Sequence, residues 1–276
     1  EFDDIAVLYR ANFQSRYIEE SFSQHKIPYV IENGLNFYQR SEVKVLIDYL
    51  KLINNPNTDE ADEALQNVIN FPLRYCGRNF VKNLEQYASE HEIHLFEALS
   101  QIKIELKYVQ KNVQEFLSLL SPLIKDAESL EPAEALLLLR EALDYDRLIS
   151  EDDIPAPDDN RLENVNQLTL AAAKYSSIES FLDYTESFQG VASGDKSGIH
   201  LMTIHKAKGL EFETVFVVGM VEGILPSKRG DKEEERRIAF VGISRAMKLL
   251  YLSYTCNYLG QSCKKSLFID EILGNV

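Results

Sequence analysis

The sequence predicts an α/β protein whose sheet is assembled from the two ends of the chain, with an all-helical domain inserted between them. Short apolar runs rich in β-branched residues occur near the start, at 4–9 and 28–31, and return after Gly198. Between about Ser41 and Ser187 the apolar residues recur instead at helical spacing. The late runs are almost continuously apolar, the pattern of parallel strands covered on both faces. Strand signals at both ends require the two ends to meet in one sheet.

Taken in order, Asp4-Ile5-Ala6-Val7-Leu8-Tyr9 reads as a strand and Asn12-Phe13-Gln14-Ser15-Arg16 as a polar turn, before Tyr17, Ile18 and Phe22 mark a helix. Pro28-Tyr29-Val30-Ile31 supplies a second strand, closed by the turn signal Glu32-Asn33-Gly34. Val43, Val45, Leu46, Tyr49, Leu50, Leu52 and Ile53 then mark the first helix of the insert, and breaks at 54–57, Phe71-Pro72 and Ser121-Pro122 separate the others. Leu117, Leu119, Leu120 and Leu123, and Leu136, Leu137, Leu139 and Leu143, read as core stripes of a bundle. The acidic segment 151–159 lacks the Gly and the closing Glu of an EF-hand loop and reads as solvated. Residues 190–198 have linker composition. His200–Ile204 and Thr214–Gly219 read as strands, Glu233–Met247 as a helix, and Leu249–Tyr254 as a last strand.

At 276 residues the chain has room for two domains, and 45% hydrophobic with 26% charged residues excludes disordered and fibrous classes. No apolar run is long enough to cross a membrane, and the opening EFDDIAVLYR is not a secretory signal. The absence of an initiator Met before Glu1 fits a piece of a longer protein. Cys76, Cys256 and Cys263 have no metal-ligand spacing, which points to a reducing, cytoplasmic setting. The net charge of −15 is unevenly spread: residues 101–196 carry 9 basic against 19 acidic groups, whereas 197–276 carry 11 against 9. Any nucleic-acid-binding groove is therefore expected in the last third.

Gly190–Ser197 comes near a phosphate-binding loop but fails it, because Asp195 separates the second Gly from Lys196 and the glycine spacing is one residue short. Three other segments place charged groups at the ends of strands, where open α/β sheets form binding crevices. They are Ala6-Val7-Leu8-Tyr9-Arg10-Ala11-Asn12-Phe13-Gln14-Ser15-Arg16, the stretch from Leu201 to Phe212 with Thr203-Ile204-His205-Lys206-Ala207-Lys208-Gly209-Leu210-Glu211 at its centre, and Glu233 to Ala246 with its Gly242-Ile243-Ser244-Arg245.

As an ordered set these segments resemble the last helicase motifs of the UvrD/Rep/PcrA family of superfamily-one DNA helicases, and the resemblance runs over essentially the whole chain. It implies a second RecA-like motor domain, a parallel sheet of the P-loop NTPase type without its own P-loop, interrupted by an all-α accessory domain. The expected segments are 1–104 for the first part of the motor domain with a helical extension, 105–197 for the accessory domain, and 198–276 for the second part. The implied activity is ATP-dependent unwinding by translocation on single-stranded DNA, 3′ to 5′. ATP and Mg2+ would be held mainly by the missing N-terminal RecA-like domain, so the chain alone would be inactive. The expected partners are that domain, single-stranded DNA and a duplex junction.

Residue by residue, the resemblance implies that Tyr9 stacks on adenine, and that Arg10 and Arg245 reach the γ-phosphate, with Arg245 as the arginine finger. It implies that Glu211 accepts a hydrogen bond from the ribose while Gly209 keeps the backbone near the nucleotide, and that Thr203, His205 and Lys206 contact the DNA backbone. By themselves the residues leave other readings open. Tyr9 is also a plausible capped core aromatic, and His205 a satisfied half-buried imidazole. Arg10 and Arg16 could be surface partners of Glu19 and Glu20, and the Glu233–Arg237 run a solvated helix face. Ser244 stands where the family usually has Thr, and Arg74-Tyr75-Cys76-Gly77 where relatives have Arg-Gly-Ile-Gly. With the acidity of the insert, this favours a protein partner over duplex DNA for 105–197. The helicase part of a helicase–nuclease subunit, and a non-catalytic interaction module, are the alternative functions.

Overall fold

The computed structural model describes the chain except residues 32–34, 152–159, 189–196, 229, 259–260 and 275–276. The expected turn at 32–34, most of the acidic loop 151–159 and most of the linker and failed phosphate loop at 190–198 lie outside the described residues.

The elements run β1 (Ile5–Tyr9), α1 (Ser15–Gln24), β2 (Tyr29–Ile31), α2 (Ser41–Asn54), α3 (Asp59–Val68), α4 (Arg78–His91), α5 (Leu95–Gln101), α6 (Lys107–Lys125), α7 (Pro132–Ala142), α8 (Tyr145–Glu151), α9 (Arg161–Ala172) and α10 (Ile178–Ser187). There follow β3 (Ile199–Thr203), β4 (Phe212–Val217), α11 (Lys232–Ile243), β5 (Ala246–Leu252), a small hairpin of β6 (Asn257–Tyr258) and β7 (Gln261–Ser262), and α12 (Leu267–Leu273). The main sheet has the order β2-β3-β1-β4-β5 with every pairing parallel. The two chain ends thus meet in one sheet, as the sequence requires.

Alternation along β1 divides the core. Ala6 and Leu8 face Val215, Val217, Ile238 and Phe268 on one side, and Val7 and Tyr9 face Tyr29, Ile31 and Leu201 on the other. The helix expected over 233–247 ends earlier, at Ile243, because residues from Ala246 on join the sheet, with Ala246 opposite Phe212. Its start is firm: the Asp231 carboxylate accepts from the Glu233 and Glu234 N–H groups, and three glutamates occupy the positive first turn. Pro122, expected between helices, lies inside the last turn of α6.

The chain divides into two compact units, Glu1–Tyr38 with Ser187–Val276, and Gln39–Asp153 with Arg161–Glu186. The helical unit therefore opens at Gln39 and not at 105. The cause is α2, whose Val43, Leu46, Tyr49, Leu50, Leu52 and Ile53 are buried and which packs on α3, α6, α7 and α9. Helices before and after 105 thus share one core. Polar groups seal it: the Tyr145 hydroxyl donates to Glu42 O at 2.7 Å and Asn164 Nδ2 to Glu42 Oε1 at 2.6 Å.

Candidate functional site

All five strands point the same way, so the sheet has one carboxyl edge and one amino edge, and the expected site residues divide between them. At the carboxyl edge, the Thr203 carbonyl accepts from Lys206 N–H at 3.0 Å and Ala207 N–H at 3.2 Å, which makes a tight turn after β3. Ile204 N–H donates to Tyr9 O at 2.9 Å and holds that turn to the end of β1. His205 and Lys206 are half-buried there, and His205 Nδ1 is buried with no hydrogen-bond partner among the described residues. Thr203 itself is buried.

The chain then runs to the amino edge of β4 through residues 204–211, fewer than the dozen or so that a helical crossover needs. The crossover is a chain of turns, Lys208 N–H to His205 O at 3.3 Å and Leu210 N–H to Ala207 O at 3.1 Å, with Ala207 buried in the core. Gly209 has a φ of +89°, and nothing lies within 4 Å of where a Cβ would stand. Glu211 is exposed.

Arg245 meets this end of the crossover. Its carbonyl accepts from Phe212 N–H at 2.9 Å, and its guanidinium donates to Leu210 O at 2.9 Å, Val241 O at 3.0 Å and Ser244 Oγ at 3.0 Å. Among the described residues these acceptors are all neutral, so a full positive charge is held in place beside Gly209–Glu211 without a carboxylate against it.

Arg10 and Tyr9 are not brought to Arg245. With Leu8 opposite Val217 and Phe212 opposite Ala246, the end of β1 and Arg245 are on the order of 20 Å apart along the strands. Tyr9 is 2% exposed, with its ring in the apolar cluster of Val7, Tyr29 and Leu201, and offers no face to a base. Its burial lends no support to the adenine-stacking expectation, because the period of two puts Tyr9 on the face of Val7. Arg10 is 5% exposed and bound to Glu235 on α11, with Nε to Oε2 at 3.0 Å and Nη2 to Oε1 at 2.6 Å. It therefore does not stand at the amino edge with Arg245, and its ion-pair partner is Glu235. Arg16 does pair with Glu20, at 2.6 Å, but in the interior rather than at the surface.

Glu235 is the residue that the sequence reading missed by assigning Glu233–Arg237 to solvent: it is 1% exposed and accepts a further hydrogen bond from Ser227 N–H at 2.9 Å. A readable signal existed, since Glu235, Ile238, Ala239 and Gly242 form the buried i, i+3, i+4, i+7 stripe of α11.

In the helical unit, Arg74 spends its guanidinium on the protein, donating to Phe71 O at 2.8 Å, Val68 O at 3.1 Å and the Tyr49 hydroxyl at 3.1 Å. Asp59, Asp62 and His94 come together there as a possible cation cluster. Asp62 is already used: it bonds the His94 ring at 2.9 Å and accepts from Leu95 N–H at 2.8 Å, fixing the start of α5.

The family model of the UvrD-like helicase C-terminal domain matches residues 1–257. The chain belongs to that family. Among its relatives, this UvrD-like domain is 36% identical over 296 residues to the ATP-dependent DNA helicase PcrA of Staphylococcus epidermidis, and 34% identical over 295 residues to that of Staphylococcus aureus strain MRSA252. Each alignment covers 99% of the chain and 40% of the relative. The UvrD-like domain thus spans about two fifths of the length of these helicases. No helix among the described residues is long and apolar enough to cross a membrane.

Proposed function

We propose that this chain is the C-terminal motor half of an ATP-dependent DNA helicase that unwinds DNA by translocating 3′ to 5′ on a single strand. The observation that carries the reading is Arg245, a guanidinium fixed by three neutral oxygens beside Gly209–Glu211. At the amino edge Arg245 stabilises the charge that develops on a transferred phosphoryl group, as an arginine finger. Such groups are worth ~10³–10⁵ in rate. Glu211 accepts a hydrogen bond from the nucleotide's ribose, and the open side of Gly209 leaves room for that approach. ATP and Mg2+ are held mainly by a P-loop-bearing RecA-like domain that faces this edge.

At the carboxyl edge His205 and Lys206, backed by Thr203, hold the backbone of the single strand. The crossover 204–211 joins the two edges directly, so that closing on nucleotide at one edge shifts the grip on DNA at the other. Arg10 and Tyr9 have no part in binding nucleotide. The acidic helical unit takes a protein partner in preference to duplex phosphate.

The test is ATP hydrolysis, with and without single-stranded DNA, by this chain joined to a P-loop-bearing motor domain. Arg245→Ala is expected to lose ~10³-fold or more in turnover while keeping single-strand binding. Unchanged turnover removes the finger assignment. A wild type without strand-stimulated turnover removes the motor reading, and turnover by the chain alone removes its dependence on a second domain.

A further inference from the structure

We infer that Glu235 is a positioning residue that couples DNA contact to Arg245, through its buried pair with Arg10. The inference rests on the motor reading and adds to it a second route between the edges. Arg10 follows Tyr9, whose carbonyl holds Ile204 N–H at the start of the crossover. The crossover ends at Leu210, whose carbonyl accepts from Arg245 Nη1 at 2.9 Å. Arg245 also donates to Val241 O on α11, and α11 runs back across the sheet to Glu235, which grips Arg10. The contacts therefore close a ring: end of β1, crossover, Arg245, α11, Glu235, Arg10 and the end of β1 again.

Within that ring the Arg10–Glu235 bond is the ion pair, and the fold is shaped around it. Glu235 Oε2 receives Ser227 N–H as well as Arg10 Nε, so the carboxylate has a fixed orientation. A Cβ on Gly230 would stand 2.6 Å from Glu235 Oε1, so the backbone passes close to the carboxylate and a side chain there would have to displace it. Arg10 is fixed from its own side too, since its N–H and that of Ala11 both donate to Gln14 Oε1 at 3.0 Å. With both partners held, a displacement of the His205–Lys206 turn is passed to Arg245 by two members, the crossover and α11, instead of one. Without the pair, the start of α11 loses its polar tie to β1, and the crossover acts alone.

The experiment uses the chain joined to its P-loop-bearing domain and compares wild type with Glu235→Gln, which keeps the shape and loses the charge. Turnover without DNA, turnover with saturating single-stranded DNA, the strand's Kd and the unfolding midpoint are read together. The expected result is DNA-free turnover and Kd near wild type, with the stimulation by DNA reduced about tenfold, inside the 5–150-fold range usual for coupled sites. Unchanged stimulation overturns the inference, and so does a parallel fall of both turnovers with a lowered midpoint, which is what a merely structural role gives. Where Glu235→Gln does not fold, Arg10→Lys decides by the same readings, since it keeps the charge and loses the forked contact. A wild type that DNA does not stimulate overturns the motor reading itself, so the two failures are told apart.

Discussion

Arg10 and Glu235 depend on each other more than exposed partners do. Removing one member of a buried pair leaves the other charged away from water, at a cost of about 3–5 kcal/mol, whereas an exposed pair such as Lys111–Glu115, 3.6 Å apart, contributes about 0–1 kcal/mol. Their sequence separation of 225 residues explains why the pairing was not legible: no local pattern links a strand-end arginine to one glutamate among several. What was legible is the period of each element, which puts Tyr9 with Val7 and Glu235 with Ile238. Of the two readings of Tyr9, its place on the strand favours the core aromatic, since the ring is buried beside Val7. Another buried residue gives a direct test. Burial pushes the Cys76 thiol up to about 11, with Arg74 opposing the shift only in part. Because the raised value disfavours thiolate, Cys76 is expected to resist alkylation in the native protein between about pH 7 and 9 while the exposed Cys256 reacts. Mass spectrometry of the labelled protein checks this, and modification of Cys76 at the rate of Cys256 would contradict it.

Among the elements, strands were read best, because a buried parallel strand needs a continuous apolar run and little else of comparable length does. The sequence extends helix α11 too far because Ala246 and Met247 follow Ile243 at helical spacing. Only the pairing of Ala246 with Phe212 shows that the strand has already begun. The parallel pair at the opposite side of the sheet, β2 and β3, depends on a close approach that composition conceals. A Cβ on Gly198 would stand 2.7 Å from the Pro28 carbonyl carbon and the Tyr29 nitrogen, where Ile199 N–H bonds Pro28 O at 2.9 Å. Gly198→Ala is therefore expected to destabilise the α/β unit by about 1–3 kcal/mol through overpacking. Urea unfolding reads this as a lowered midpoint at an unchanged m-value, and an unaltered midpoint would mean that the approach is relieved at no cost.

For the molecule as a whole, charge and architecture separate along the same line. The stretch Gln39–Ser187 carries 14 basic against 28 acidic residues, nearly all of the net −15. The domain organisation was legible in outline because helical and strand periods differ. The boundary was not, because helices on both sides of residue 105 obey the same pattern and only their shared packing around α2 assigns them to one unit. A unit of that charge repels phosphate. Expressed as 39–187, it is expected to show no salt-sensitive binding to duplex DNA in a fluorescence anisotropy titration, and binding that weakens steeply with added salt would refute this.

The crossover 204–211 has one further consequence, and it concerns inheritance. Surface loops absorb inserted and deleted residues because their length is not fixed by what they join. This one spans the sheet from edge to edge with a buried alanine partway along and no helix to take up slack. A single added residue would have to bulge into the core or shift Glu211 and Arg245 relative to His205. Substitutions can accumulate here, but length cannot drift, and gene lineages that keep the function should differ in this segment by spelling and not by size.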